Sequence, residues 1–203
     1  KRRELLIIKQ LALVRFPWLL NTKYAYDYLH YLADPRKEEA TMYVNNTYRQ
    51  QEVYLSMANR VTVLPFWDIN LSVDYQWNKL NANLTDFPYP RRNTTLVAAA
   101  TSLHFDRFKF QASVLGTFVH ENVASDTTSA GNKMEFTPTA IASYKPFKNI
   151  DFNLRAFYKR IFRMPTLNDL YYTFIGNIKL KPEYTNQYNI CLLYTSDAAD
   201  EAR

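Results

Sequence analysis

Tyr89-Pro90-Arg91-Arg92 is the cluster best suited to binding. Arg presents a planar fork to a carboxylate or phosphate, and Tyr offers a stacking face. An anionic iron chelate fits such residues, and so do lipid phosphates outside a membrane wall. Other chemistry finds less support. His104 and His120 lie at opposite ends of one predicted hairpin turning at Asp106-Arg107. That separates them by roughly 36 Å at strand rise, too far to share a metal. His30 has no ligand spacing around it. Gly116, Gly131 and Gly176 are the only glycines and lie too far apart for a phosphate loop. No Gly-x-Ser-x-Gly elbow is present. Glu38-Glu39 follows Pro35-Arg36-Lys37 and reads as a solvated loop. The expectation is no catalytic residue, no metal site and no cofactor.

The elements that would position these residues alternate strictly. Ile69, Leu71, Val73, Tyr75 and Trp77 fall on one face, with Asn70, Ser72, Asp74, Gln76 and Asn78 on the other. Phe108, Phe110, Ala112, Val114 and Phe118 oppose Lys109, Gln111, Ser113, Thr117 and Glu121. Ile150, Phe152, Leu154, Ala156 and Tyr158 oppose Asp151, Asn153, Arg155 and Lys159. Period two means strands with one apolar and one polar face. Weaker segments of this kind cover 4–16, 23–32, 48–60, 95–105, 135–145 and 184–190, which makes nine strands.

These strands run about ten to twelve residues, enough to cross a bilayer when tilted, whereas soluble strands usually run about five or six. Aromatics sit near the ends of the apolar faces, where membrane barrels place their girdles. Short links at Asp106-Arg107 and Pro146-Phe147-Lys148-Asn149 alternate with long loops over 81–94, 121–134 and 162–183. The fold class expected is therefore all-β: an antiparallel up-and-down meander forming part of a transmembrane β-barrel. Nine strands leave two open edges, which lipid does not tolerate, so the chain reads as a fragment. A soluble β-sandwich that binds carbohydrate also alternates and stays an alternative, as does a passive porin or an outer-membrane enzyme barrel. No run of apolar residues reaches the ~18 of a membrane helix, and Lys9, Gln10 and Arg15 interrupt the signal-like start.

With 25 basic and 19 acidic residues the net charge is +6, which permits anionic partners. Nucleic acid is not expected, because the aromatics lie on the apolar face, away from Lys and Arg. Aromatics at 16% exclude disorder, and a single Cys excludes a disulfide framework.

One segment carries a family resemblance. Phe162-Arg163-Met164-Pro165-Thr166-Leu167-Asn168-Asp169-Leu170-Tyr171-Tyr172 leads through Gly176-Asn177 to Leu180-Lys181-Pro182-Glu183. It resembles a signature in the C-terminal half of TonB-dependent outer-membrane receptors, of the type found in Bacteroidetes and nearer the siderophore and cobalamin group than the glycan importers. The resemblance spans 1–190 and implies a plugged barrel of about 22 strands. It also implies an outer-membrane location, contact with outer-membrane lipid and a small-molecule chelate as ligand. Energy would come from the TonB–ExbB–ExbD complex, acting through an N-terminal plug not contained in this chain. A fragment of that kind would transport nothing by itself.

Within the motif, Pro165 and Pro182 lack the N–H a ladder needs and mark loop positions. Asn168 and Asp169 suit turn-shaping bonds to nearby amides, and Glu183 suits a pairing with Arg163. Arg163, Pro165, Asn168, Asp169, Leu180, Pro182 and Glu183 are accordingly expected to be structural, whereas Tyr89, Arg91 and Arg92 are the candidate ligand contacts, with solvent, lipid or structural contact as the alternative for them. The end of the chain differs. Cys191 to Glu201 looks like a translated sequencing adapter, so 191–203 reads as a non-native tail, expected as a disordered end or an arbitrary helix.

Overall fold

The computed structural model describes residues 2–13, 18–36, 42–124, 129–147, 152–172 and 176–194. Glu38-Glu39 and Thr195 onward lie outside them. Nine strands form one sheet: β1 (Arg2–Leu13), β2 (Trp18–Ala33), β3 (Val44–Leu64), β4 (Trp67–Ala82), β5 (Arg91–His104), β6 (Phe108–Asn122), β7 (Lys133–Tyr144), β8 (Phe152–Arg163) and β9 (Glu183–Tyr194). They pair in sequence order, each antiparallel to the next. No second sheet packs against the first among the described residues, so the sandwich is excluded.

Burial along these strands runs opposite to that of a soluble protein. Leu71, Val73 and Val97 are 50%, 45% and 43% exposed, whereas Asn78 and Thr117 are each 8% exposed. Ser56, Asp68 and Ser102 are buried as well. A sheet that hides its amides and hydroxyls and presents Leu, Val and Phe outward is dressed for lipid outside and water inside. Ile69 and Phe152 belong to the same outward rows but are half-buried.

Trp77 and Trp67 bracket the apolar band of β4, both on the outward face. Ten residues of strand span about 34 Å. Tilted by about 40°, that covers about 26 Å, which matches an apolar band about 25 Å tall. Trp67 Nε1 donates to Thr101 Oγ1 at 2.8 Å, so its polar atom is satisfied at the edge of the band. Phe66 and Phe105 stack with centroids 5.4 Å apart in the two neighbouring short turns. On the outward face of β6, a Cβ on Gly116 would come within 3.1 Å of the Phe136 ring and 3.2 Å of the Phe118 ring. Glycine leaves room there for their edge-to-face contact at 6.0 Å.

Connections sort by length. The links after β1, β3, β5 and β7 are shorter than those after β2, β4, β6 and β8, all four of which emerge at the same end. The β8–β9 loop is more than a loop, since it contains a short helix, α1 (Leu167–Tyr171).

One expectation is corrected at the C-terminal end. Cys191–Tyr194 are neither disordered nor helical. They continue β9, paired with Phe152–Arg155 of β8. Extended backbone beside β8 fills that strand's free hydrogen-bonding edge whatever side chains it carries. On the other side β9 is an edge strand, with Tyr188 76% and Ile190 81% exposed.

Candidate functional site

At the end where the long loops emerge, the β8–β9 segment folds back onto the polar face of the sheet. A capping box starts α1. Thr166 Oγ1 accepts from the Asp169 amide at 3.2 Å, and Asp169 Oδ2 accepts from the Thr166 amide at 2.9 Å. These bonds to Thr166 hold the Asp169 carboxyl below the usual carboxylate range, with smaller help from Arg163 and Arg92. Leu167, Leu170 and Tyr171 then pack against Tyr48, Leu80 and Phe87 in a small apolar core. This core explains why Leu80 interrupts the polar side of the alternation: it lies under the loops rather than in the open lumen.

A buried ion pair fastens the loop to the wall. Arg92 Nε and Nη2 donate to Glu121 Oε2 at 2.8 and 2.6 Å. Nη1 of the same fork donates to the Pro165 carbonyl at 2.6 Å. The other carboxylate oxygen accepts from the Tyr171 hydroxyl and from the Ala130 amide, the latter at 3.3 Å. Burial, followed by the bond to Glu121, pushes the Tyr171 phenol well above its ordinary range, so it remains a donor. Two loops and two strands therefore meet at one carboxylate.

This arrangement corrects the reading of Arg92 as a ligand contact. Its side chain is 8% exposed and that of Glu121 is 0% exposed. The fork is saturated by protein. Arg91, one residue earlier, points to the opposite face and is exposed. Tyr89 is exposed in the β4–β5 loop, edge-on to Phe87 at 5.4 Å, with φ of 45°. The three residues adjacent in sequence are thus divided between a loop, the outer surface and the interior. A signal for the Arg92–Glu121 pair existed: reflecting β5 about the Asp106-Arg107 turn sets position 92 opposite 121, the register observed.

The remaining motif residues lie around the same loop. Arg163 Nη1 meets Glu183 Oε2 at 3.7 Å across the first β8–β9 pair. Both are exposed, and such pairs contribute at most about 1 kcal/mol. Together with Pro165, Asp169 and Leu180 they line a cleft of about 340 Å³. Pro182 immediately precedes β9. Asn168 Oδ1 is buried with no hydrogen-bond partner, and the residue borders a cleft of about 220 Å³ with Asp27, Tyr48, Gln50 and Tyr172. A larger cleft of about 390 Å³ opens below α1, where Gln76, Asn78, Thr94 and Thr117 meet Leu115 and Leu167.

Gly176 closes the motif loop. Its amide donates to the Tyr172 carbonyl at 2.7 Å. A Cβ there would lie 2.5 Å from that oxygen and 2.6 Å from the Tyr172 nitrogen. Backbone cannot yield as a side-chain tip can. Gly176→Ala is expected to destabilise the loop by about 1–3 kcal/mol, measurable as faster amide exchange over 167–172 while the strands keep their protection.

Among the described residues no group of three His, Cys, Asp or Glu is placed to hold a metal ion. His104 faces Asp68 at 3.8 Å, beside the Arg60–Asp68 pair at 2.7 Å. His30 Nε2 lies 2.8 Å from Asn45 Oδ1. His120 sits on the outward face. The geometry offers hydrogen-bonding surface along a wet wall.

That wall has a family. The TonB dependent receptor-like, beta-barrel family matches residues 13–199. The chain belongs to the TonB-dependent receptor β-barrel family. Among solved structures, the copper transporter OprC superposes with a TM-score of 0.68 at 15% identity, over 97% of this chain and 37% of that one. The likeness shows the shared barrel fold, and this chain spans little more than a third of that protein's length. No sequence among the curated proteins matches.

Proposed function

We propose that this chain is part of an outer-membrane active transporter that imports a scarce ligand, such as a siderophore or cobalamin, with energy relayed by TonB–ExbB–ExbD through an N-terminal plug. The observation that carries the reading is the inverted burial of the strands, joined to the family match over 13–199. Lipid meets the apolar face. The polar face lines a passage rich in Gln, Asn and Thr, which hydrogen-bond a polar chelate without making or breaking bonds. Asn168 joins Gln50 and Tyr172 as the candidate ligand contact on this wall, because a buried acceptor without a donor favours a ligand that brings one. The nine strands alone leave two edges open and transport nothing.

The test is uptake of radiolabelled ferric siderophores and radiolabelled cobalamin by cells expressing the full-length parent. Uptake that collapses without TonB or without the proton gradient supports the reading. Uptake of either probe that persists in both conditions makes the barrel a passive pore.

The reading of 191–203 as foreign sequence rests on its letters. Genomic DNA sequenced across the Ile190 codon tests it, and an uninterrupted natural reading frame through Arg203 would defeat it.

A further inference from the structure

Three cations occupy neighbouring rows of the outward face, just beyond Tyr24 and Trp77 on the side of the long loops. Cross-strand register sets Lys79 of β4 directly opposite Arg91 of β5. Arg49 of β3 lies opposite Asn81, one outward row further toward the loops. Like charges directly opposite one another destabilise a sheet. On the polar face three cations do meet carboxylates, in Arg92–Glu121, Lys23–Glu52 and Arg60–Asp68. Here none does. The outward positions around the three cations are Tyr26, Tyr28, Gln51, Asn93, His120 and Asn122, with no carboxylate among them. Arg49 and Arg91 are exposed and Lys79 is half-buried. Arg49 also borders an outward cleft of about 300 Å³ with Tyr28, Thr47, Asn81 and Asn83.

We propose that Arg49, Lys79 and Arg91 bind the phosphate of an anionic lipid headgroup in the leaflet on the long-loop side. The inference rests on the reading of this wall as lipid-facing. A phosphate between Lys79 and Arg91 turns their repulsion into charge-assisted hydrogen bonds, and each Arg fork can engage two oxygens. Tyr28 and Asn81 supply neutral donors beside Arg49. Depth selects a lipid over a free anion. The three cations sit immediately past the aromatic girdle, at headgroup level, and the lipid's acyl chains continue down over Val73, Val97 and Leu71.

The experiment uses the full-length parent receptor in phosphatidylcholine nanodiscs containing a minor fraction of lipid A. Lipid A retained per receptor after detergent washing is counted by mass spectrometry. The triple variant Arg49→Gln/Lys79→Gln/Arg91→Gln is expected to retain about tenfold less, the loss that a single charge-assisted bond implies. Lys109→Gln/Lys159→Gln, which removes cations from the polar face, should retain as much as the wild type. Heat-modifiable gel mobility confirms that each variant is folded. Equal retention by the triple variant overturns the proposal. So does equal retention of dephosphorylated lipid A by the wild type, which assigns the binding to acyl chains, or displacement of lipid A by millimolar inorganic phosphate, which assigns it to a free anion. A spin label at Val73→Cys separates the two readings. A label in lipid with unchanged lipid A retention defeats the headgroup site alone, and a label in water defeats the lipid-facing wall with it.

Discussion

Glu121→Ala should destabilise the full-length receptor by about 3–5 kcal/mol, because it leaves a buried charge without its partner. The substitution removes the acceptor of two Arg92 bonds at 2.8 and 2.6 Å and of the Tyr171 hydroxyl. The Arg92 side chain is too buried for water to replace the carboxylate. The β8–β9 loop would lose its seat, since Arg92 also holds the Pro165 carbonyl. Denaturant unfolding of the refolded parent measures the loss, and limited proteolysis near 164–182 locates it. Removing both charges separates pairing from packing. Arg92→Met/Glu121→Leu should recover most of the stability, as replacement of a buried ion pair by apolar groups is often neutral. A single-variant cost below about 1 kcal/mol would place the pair with exposed, screened bridges and contradict the geometry.

Val73→Arg has the second large effect expected. Val73 lies in the outward row between Met57 and Val97, four residues from Trp77 and six from Trp67. A cation near the midplane of a barrel's lipid face costs about 2–4 kcal/mol. Ser72→Arg, one residue away on the polar face, should cost less than about 1 kcal/mol because a wet lumen solvates the guanidinium. Comparing the two variants by their folded fraction in lipid vesicles reads the difference. Equal costs would mean that the two faces see the same solvent.

How far the sequence foretold this arrangement depended on the length of each signal. β4, β6 and β8 were legible because alternation over ten or more residues leaves no helical reading, and the nine-strand meander followed. α1 was not legible. Five residues complete barely more than one helical turn, too short for a 3.6-residue period to emerge, although Thr166 and Asp169 carry the capping-box spacing. Arg92 was misassigned for a different reason. Reading Tyr89-Pro90-Arg91-Arg92 as one loop cluster placed the start of the strand at about 95, whereas β5 begins at Arg91. Those few residues decide everything, since alternation then sends Arg91 outward and Arg92 inward. Leu80, on the polar side of β4, is covered by the loop core, which no local pattern announces. At Cys191–Tyr194 the side-chain pattern foretold an end, but the open edge of β8 accepts any extended backbone.

The most direct test of the central claim, that the apolar face meets lipid and the polar face meets water, is thiol labelling in whole cells. Single cysteines would be placed in a cysteine-free full-length parent at Leu71, Val73, Val97 and Val114, and separately at Ser72, Gln76, Thr94 and Ser113. A small water-soluble maleimide is then applied to the cells and the extent of reaction is read by mass. Reaction at the second set with protection of the first is the outcome predicted here. Equal reaction at both sets, or protection of Ser72 and Gln76 with reaction at Leu71 and Val73, would contradict the account.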